Sequence, residues 1–279
     1  MIAISQIVAI SNQTYTFYVY VYKGVPFYVY LYKGDLTVPL NSKAAKLKAD
    51  SADPYLRVRH LLVRGHIRPG TRASESSLAA HLDVSRTPVR EAIRRLLAEG
   101  LLVADGGGAR PRIAAAPVGT ADAEDLYQAV GALDGIVARR VDRLSISARK
   151  ALAAEMRARH AAFRHATQGR PLDYDVVFKR HKAFHTALHD ACATPTLRAM
   201  IDFLQPRLDR YEWLYANFMT PNLTATLVEH AAIIRAVAAG DAGAAERAVR
   251  ANAFNGGARL VKALEAIART DESTYRDDT

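Results

Sequence analysis

The sequence predicts a mainly α-helical protein, with an N-terminal winged helix-turn-helix followed by an all-α helical bundle. The first part of this prediction rests on residues 78–101, where two short helical patterns are separated by Asp83-Val84-Ser85 and followed by a glycine-rich hairpin pattern. The second part rests on the region after residue 120, where apolar residues recur at helical spacing. A chain of 279 residues, half of them apolar, is long enough to form two ordinary domains.

Residues 1–52 differ from the rest of the chain. The run Phe17–Pro26 is followed directly by a second copy, Phe27–Leu36, rich in aromatic and β-branched residues. One interpretation is a β-hairpin used for dimerisation or surface contact. We favour the other, a tandem duplication ahead of the true start of the protein, because two unsupported strands are only marginally stable in water. Residues 37–52 have the composition of a polar linker.

The first helix of the winged domain is expected to bury Leu56, Val58, Leu61 and Leu62. The helix-turn-helix follows, and its second helix has clear boundary signals. Ser85 is a typical N-cap residue, Pro88 fits the first turn, and Gly100 ends the helix. The apolar positions of the two helices are Leu78, Ala79 and Leu82, and then Val89, Ile93, Leu96 and Leu97.

The second of these helices also carries hydroxyl and guanidinium groups near its N-terminus, where a helix in a major groove meets base edges and phosphates. The charge is consistent with this role, since residues 53–119 hold 11 Lys and Arg against 6 Asp and Glu. The alternative is an ordinary solvated, arginine-rich helix. The candidate DNA contacts are Ser85, Arg86, Thr87, Arg90, Arg94 and, in the wing, Arg110.

These residues resemble the winged helix of the GntR family of bacterial transcription regulators. The resemblance is carried by Gly65-His66-Ile67-Arg68-Pro69-Gly70, Glu75, LAAHLDVSRTPVREAI from residue 78 and LLAEGL from residue 96. It implies a winged helix over residues 53–116, with a wing formed on both sides of Asp105-Gly106-Gly107-Gly108. Double-stranded operator DNA is the expected partner. A homodimer is expected too, because one recognition helix reads too few base pairs.

Residues 120–270 are predicted to form about six antiparallel helices whose interior can house a ligand. Pro206 is expected to kink or break the helix over about 196–218. Residues 271–279 are expected to be a frayed polar tail.

Histidines interrupt the apolar faces of this bundle. His181 and His185 lie one helical turn apart, a spacing that presents two imidazoles to one metal ion, and His230 lies in the apolar stripe of a later helix. Asn252 is expected to point inward from the last helix. His189 is expected at the surface. The alternative is a set of core histidines bonded to the backbone. A zinc peptidase is excluded, because Lys182 stands where its HExxH motif needs glutamate.

The helical region resembles the FCD effector-binding domain of the FadR subfamily, through LYQAVGALDGIVARR (126–140), FHTALHDACATPTL (184–197) and EHAAIIRAVAAGDAGAAERAV (229–249). In that family, Asp and three His residues commonly hold a divalent metal. Here His185 and His230 match, His181 replaces the Asp, and Asn252 replaces the last His. The resemblance implies that these four residues bind the effector and that the three histidines bind a metal. Nitrogen ligands favour zinc or nickel. An arginine common near Gly131 in the family is absent.

The expected function is therefore effector-controlled transcriptional regulation, with an organic acid or related metabolite bound in a helical sensor domain and no enzymatic activity. One alternative is a metal-dependent enzyme, although no paired carboxylates, nucleophile elbow or phosphate-binding glycine loop supports it. The other is an architectural DNA-binding protein. A single cysteine, Cys192, and the lack of a secretory signal or long apolar run predict a cytoplasmic protein without a membrane anchor.

Overall fold

The computed structural model describes residues 7–11, 15–22, 25–32, 52–105, 112–169, 172–214 and 223–276. It contains two compact units, one made of Met1–Thr120, Asp209–Leu214 and Leu264–Thr279, the other of Ala121–Leu208 and Tyr215–Ala263. The strands are β1 (Ile7–Ser11), β2 (Tyr15–Tyr22), β3 (Val25–Tyr32), β4 (Leu102–Asp105) and β5 (Arg112–Ala115). The helices are α1 (Pro54–Val63), α2 (Glu75–Leu82), α3 (Arg86–Ala98), α4 (Thr120–Arg139), α5 (Ile146–Ala166), α6 (Tyr174–Cys192), α7 (Pro195–Leu214), α8 (Leu223–Ala239) and α9 (Ala242–Arg276). The predicted mainly α fold is confirmed.

The N-terminal segment forms an antiparallel sheet in the order β1-β2-β3. The two copies of the sequence repeat lie on paired strands, since Phe17 is opposite Tyr30 and Tyr20 is opposite Phe27. This is the pairing that the hairpin interpretation expects, and β1 adds a third strand that the repeat did not predict. That the segment is dispensable stays a prediction.

The winged helix has its own apolar core, built by one face of each of its three helices and by the inner residues of the two wing strands. Tyr55 rather than Leu56 faces this core from α1, because Leu56 is 42% exposed. Side chains cap the first two helices: Asp53 accepts from the Tyr55 backbone N–H, and Ser74 accepts from the Ser77 backbone N–H at the start of α2. Gly100, with φ of 71°, provides the left-handed turn that follows α3.

The wing is antiparallel, with Leu102 opposite Ala115 and Asp105 opposite Arg112. A third segment joins it, since the Ala115 N–H donates to the Thr71 carbonyl and the Ala73 N–H donates to the Ile113 carbonyl, both at 2.9 Å. The predicted hairpin is therefore present. Its tip, with the candidate contact Arg110, lies outside the described residues.

The second unit is helical, and one cluster of side chains from six helices fills its interior. Two glycines let α4 approach α9 closely: a Cβ on Gly131 would lie 2.8 Å from the Ala253 Cβ, and one on Gly135 would lie 2.6 Å from Arg250 Cγ. A short 3-10 turn, Arg140–Arg143, follows α4. The buried residues of the cluster are Val137, Ala138, Val141, Leu152, Ala153, Met156, Phe184, Ala187, Leu188, Cys192, Ile201, Ile233, Ile234, Val237, Ala245 and Val249.

Two helices continue past the points where the sequence suggested an end. Pro206 lies inside α7 without breaking it. Buried residues on both sides of the proline, Ile201 and Leu208, keep the helix packed. The last helix, α9, runs to Arg276, so the expected frayed tail is helical over residues 271–276. No glycine or proline occurs after Gly257 to stop it. None of the helices in the described part of the chain is long and apolar enough to cross a membrane.

Candidate DNA-binding surface and histidine site

The predicted recognition helix, α3, separates its polar and apolar residues cleanly. Val89, Ala92, Ile93 and Leu96 are buried in the winged-helix core. The predicted contacts Ser85, Arg86, Thr87, Arg90 and Arg94 are all exposed. The helix thus packs through one face and presents hydroxyl and guanidinium groups to solvent on the other.

Ser85 holds the N-cap position of α3, but its side chain makes no capping hydrogen bond. Two roles were predicted for Ser85 from the sequence, as a helix cap and as a DNA contact. Because the hydroxyl is not used by the helix, it remains available to a phosphate oxygen at the positive end of the helix dipole.

Two of the exposed arginines are paired with carboxylates. Arg90 donates from Nε and Nη2 to the two carboxylate oxygens of Glu75, each at 3.0 Å, and this hydrogen bonding lowers the pKa of Glu75. Arg94 donates to Glu91 at 2.7 Å. Exposed ion pairs contribute little free energy, about 0–1 kcal/mol, so phosphates can compete for both arginines. Arg95 is different, because it stacks on the Tyr55 ring at 3.5 Å.

The three histidines predicted from the sequence converge in the helical unit. His181 and His185 lie one turn apart on α6 with 3.3 Å between their Nε2 atoms, and His230 faces them from α8. One nitrogen from each ring lies within 4.8 Å of the others. The ring centroids are 4.9, 5.1 and 5.4 Å apart. Two imidazoles on one tetrahedral zinc ion, with bonds of about 2.0 Å, have centroids about 5 Å apart, so the three rings fit a shared metal.

The polar atoms of His230 support the same interpretation. Its side chain is fully buried, and neither of its ring nitrogens has a hydrogen-bond partner. Two phenylalanines pack beside it, Phe184 with ring centroids 3.8 Å apart and Phe163 at 5.4 Å. A buried polar group without a partner is costly, and a ligand at this site would remove that cost.

The histidines are neutral at physiological pH. Burial, and next the charge of Arg259, lower the pKa of His181 to about 4. Burial also places the pKa values of His185 and His230 well below the usual value, and the neighbouring histidines add to the effect. Neutral imidazole is the form that binds a metal ion, so deprotonation adds no cost to binding at pH 7.

Asn252 is buried on α9, as predicted, but its amide donates to Glu229 Oε2 at 2.8 Å. Glu229 also accepts from Asn255 at 2.9 Å and from Arg259 at 2.8 and 3.0 Å. Burial acts to raise the pKa of Glu229, but these hydrogen bonds together outweigh burial and keep it charged. Glu229 and Arg259 were not predicted from the sequence as part of the site. The sequence offered one signal for each: Glu229 directly precedes His230, and Arg259 lies seven residues, or two helical turns, after Asn252.

His189 is buried, although the sequence predicts it at the surface. It is only 6% exposed, and its Nε2 lies 2.9 Å from Asp134 Oδ1 on α4, which is 7% exposed. The expectation was wrong because it considered only the apolar stripe of α6. A polar partner from another helix lets a histidine be buried outside that stripe.

A further histidine was missed, His160 on α5. Its Nδ1 is buried without a hydrogen-bond partner, and its ring centroid is 5.9 Å from that of His230. The sequence did carry a signal, because His160 falls between Met156 and Phe163 at helical spacing on the buried face of α5.

Two family models match the chain, one over each of its two domains. Residues 52–110 match the family model of bacterial regulatory proteins, gntR family, and residues 125–253 match the FCD domain model. Many FCD domains bind metal, and the histidine cluster lies in the matched region.

Individual relatives match over different lengths of the chain, from the winged-helix region alone to about three quarters of it. An uncharacterized HTH-type transcriptional regulator in an unstable DNA locus of Streptomyces ambofaciens is 30% identical over 213 residues, covering 73% of this chain and 81% of the relative. The Nta operon transcriptional regulator of Aminobacter aminovorans is 57% identical over 42 residues, which are 15% of this chain and 20% of its own. The solved structure of Escherichia coli McbR/YncC has the same fold, with a TM-score of 0.58 at 21% identity over 75% of this chain and 95% of that one. The matched models and the Streptomyces relative show that the chain belongs to the GntR family and is a DNA-binding transcriptional regulator with a winged helix-turn-helix and an FCD effector-binding domain.

Proposed function

We propose that the protein binds a two-fold operator as a homodimer, and that a divalent metal or a small-molecule effector held by His181, His185 and His230 controls this binding. The observation that carries the proposal is the convergence of three imidazole nitrogens within 4.8 Å of one another around the unpartnered ring of His230. We infer that the protein acts in the cytoplasm, where operator DNA is found.

On the DNA side, the exposed N-terminal half of α3 is the part proposed to enter the major groove. Arg86 and Thr87 have the donors that base edges accept, while Ser85 and Arg94 are placed for neighbouring phosphates. Arg90 is proposed to leave its ion pair with Glu75 and to contact DNA instead. Arg110 is proposed to contact the DNA backbone from the wing.

The proposal also predicts a dimer, because a two-fold protein reads two half-sites. Light scattering at micromolar concentration measures the oligomeric state, and a monomer with or without DNA would contradict the proposal.

On the sensor side, His181, His185 and His230 are the proposed metal ligands, and zinc and nickel suit three nitrogen donors better than magnesium or calcium do. A bound divalent ion would add positive charge and open coordination positions to the site. Three neutral imidazoles leave that charge uncompensated, so an organic acid is the effector class proposed. Asn252 contributes through Glu229, whose charged carboxylate partly offsets the lowering of the His181 pKa by burial and by Arg259.

The proposed signal is a difference between the ligand's affinities for two arrangements of the sensor helices. The site takes residues from α6 and α8, so a ligand that binds one arrangement of these helices better than another shifts the protein toward it. A ligand with equal affinity for both arrangements would not change DNA binding. This separates a regulator from an architectural DNA-binding protein, whose DNA affinity would not respond to the site.

The test compares the wild-type protein with His185→Ala, and uses His165→Ala as the control because His165 is an exposed histidine on α5. Zinc and nickel content would be measured after dialysis. DNA affinity would be measured by fluorescence anisotropy on an operator selected in vitro, with and without added metal. We expect metal retention in the wild type and control, its loss in His185→Ala, and a metal- or effector-dependent change in DNA affinity only where the site is intact. Absence of metal together with an unaltered effector response in His185→Ala would leave these histidines as core residues.

A further inference from the structure

We propose that His160 is the hydrogen-bond partner that positions His230, so that the metal site includes a residue from α5 as well as from α6 and α8. The inference rests on the proposed metal site and adds a residue that does not itself touch the metal. It begins from two facts: both ring nitrogens of His230 lack a partner, and Nδ1 of the neighbouring His160 is buried and also lacks one.

The surroundings of His230 leave His160 as the partner for the nitrogen that does not face the metal. Among the described residues, five rings contact His230. Two of them, His181 and His185, form the metal side with it. Phe163 and Phe184 offer no hydrogen-bonding atom. His160 is the remaining ring, and it meets His230 edge to face at an interplanar angle of 65°.

The distance is short enough for a hydrogen bond to form after a small movement. Two imidazoles joined by an N–H···N bond of about 2.9 Å have ring centroids roughly 5 Å apart. The centroids of His160 and His230 are 5.9 Å apart. The rings therefore need to approach by less than about 1 Å.

Such a partner has a defined role at a metal site. A histidine ligand generally donates its second N–H to an acceptor, which fixes the tautomer and the ring orientation and makes the metal-binding nitrogen more basic. In the proposed arrangement, His230 donates its N–H to His160 Nδ1 and turns its other nitrogen toward His181 and His185. His160 is thus a positioning residue.

The experiment measures zinc affinity of the full-length protein by competition with a chromophoric chelator. His160→Leu keeps the approximate volume of the side chain but removes the acceptor, whereas His160→Asn places an amide oxygen near the position of Nδ1. His165→Leu is the matched control on the exposed side of α5. We expect zinc affinity to fall by roughly 10- to 100-fold in His160→Leu, to be largely restored in His160→Asn, and to be unchanged in His165→Leu.

The other outcomes overturn the proposal. Wild-type zinc affinity in His160→Leu would show that His160 does not position the site. An equal loss in the Leu and Asn variants, with lower melting temperatures of both metal-free proteins, would show that the ring acts through packing alone. If the wild-type protein binds no zinc, the proposed metal function fails, and nitrogen-15 NMR of the histidines in the metal-free protein decides the inference separately. A single tautomer of His230 that is lost in His160→Leu supports the contact, and a tautomer that does not respond refutes it.

Discussion

The recognition helix and the histidine site use basic side chains in opposite environments. On α3, Arg86, Arg90 and Arg94 are exposed, and their charges face water and the proposed DNA phosphates. In the helical unit, His230 is fully buried and kept neutral by burial. The DNA surface thus depends on charge–charge attraction, which salt screens and which does not need exact geometry. The sensor site depends on uncharged lone pairs held at fixed distances, which salt affects little and acid destroys.

The largest difference that we expect between the two regions is their response to acid, which should affect the histidine site and not the arginines of α3. The pKa of His181 is about 4 in the folded protein, against 6.5 for an ordinary histidine. Between these values the unfolded state binds a proton that the folded state does not, so the stabilisation is complete above pH 6.5 and is lost as pH falls toward 4. We expect the free energy of unfolding of the metal-free protein to fall by about 3 kcal/mol over this range from His181 alone.

Urea unfolding followed by circular dichroism at pH 7, 5.5 and 4.5 measures this dependence. His181→Leu removes the titrating group and should flatten the curve relative to the wild type, while His165→Leu, at an exposed position, should leave its shape unchanged. Identical pH dependence in the wild type and His181→Leu would mean that this imidazole is solvated rather than buried.

On the other side of the comparison, Arg86→Ala should weaken operator binding by about 1–3 kcal/mol if the guanidinium contacts a base edge. Arg90→Ala should cost a similar amount, or lower the salt dependence by about one unit if it contacts a phosphate. The control is Arg157→Ala on α5, which removes the same charge from an exposed position of the other unit. Gel shifts at several salt concentrations measure all three variants. If Arg86→Ala and Arg90→Ala bind the operator as tightly as the wild type, α3 does not contact DNA in the proposed way.

The two regions also differ in how far the sequence predicted them. The helix-turn-helix could be predicted almost completely, because its information is local: the N-cap at Ser85, the stop at Gly100 and the apolar spacing between them lie within one short segment. Within the winged helix, the prediction of the buried face of α1 failed by one position, with Tyr55 buried in place of Leu56, and the side-chain cap expected of Ser85 is absent. Helical periodicity defines a face to within about one residue, and the packing of neighbouring helices decides the rest.

The histidine site could be predicted only in part, because its partners come from separate helices. The spacing of His181 and His185 is local, and so was found. The partners of His189 and Asn252 are Asp134 and Glu229, 55 and 23 residues away in the chain. No periodicity relates such positions, so the burial of His189 and the engagement of Asn252 by Glu229 required the structure.

A smaller effect tests whether charge alone sets the affinity of the recognition helix. Glu75→Gln removes the carboxylate that accepts both hydrogen bonds of Arg90. Because the pair is exposed, it contributes little free energy, and losing a negative charge near DNA favours binding. We expect affinity for operator and for unrelated DNA to rise by the same factor, less than about 5-fold. A loss confined to the operator would instead show that Glu75 positions Arg90 for a specific contact.

The smallest effect is expected from removing residues 1–50. The strands β1, β2 and β3 pair with one another, whereas the winged-helix core is assembled from residues between Tyr55 and Ala115. The described members of the winged-helix core all lie after residue 50, so the deletion removes none of them. We therefore expect the shortened chain to keep its melting temperature, its oligomeric state and its operator affinity, as measured by calorimetry, light scattering and anisotropy. If deletion dissociates a dimer or lowers the melting temperature by several degrees, the aromatic repeat is part of the working protein and its strands form a contact that both regions depend on.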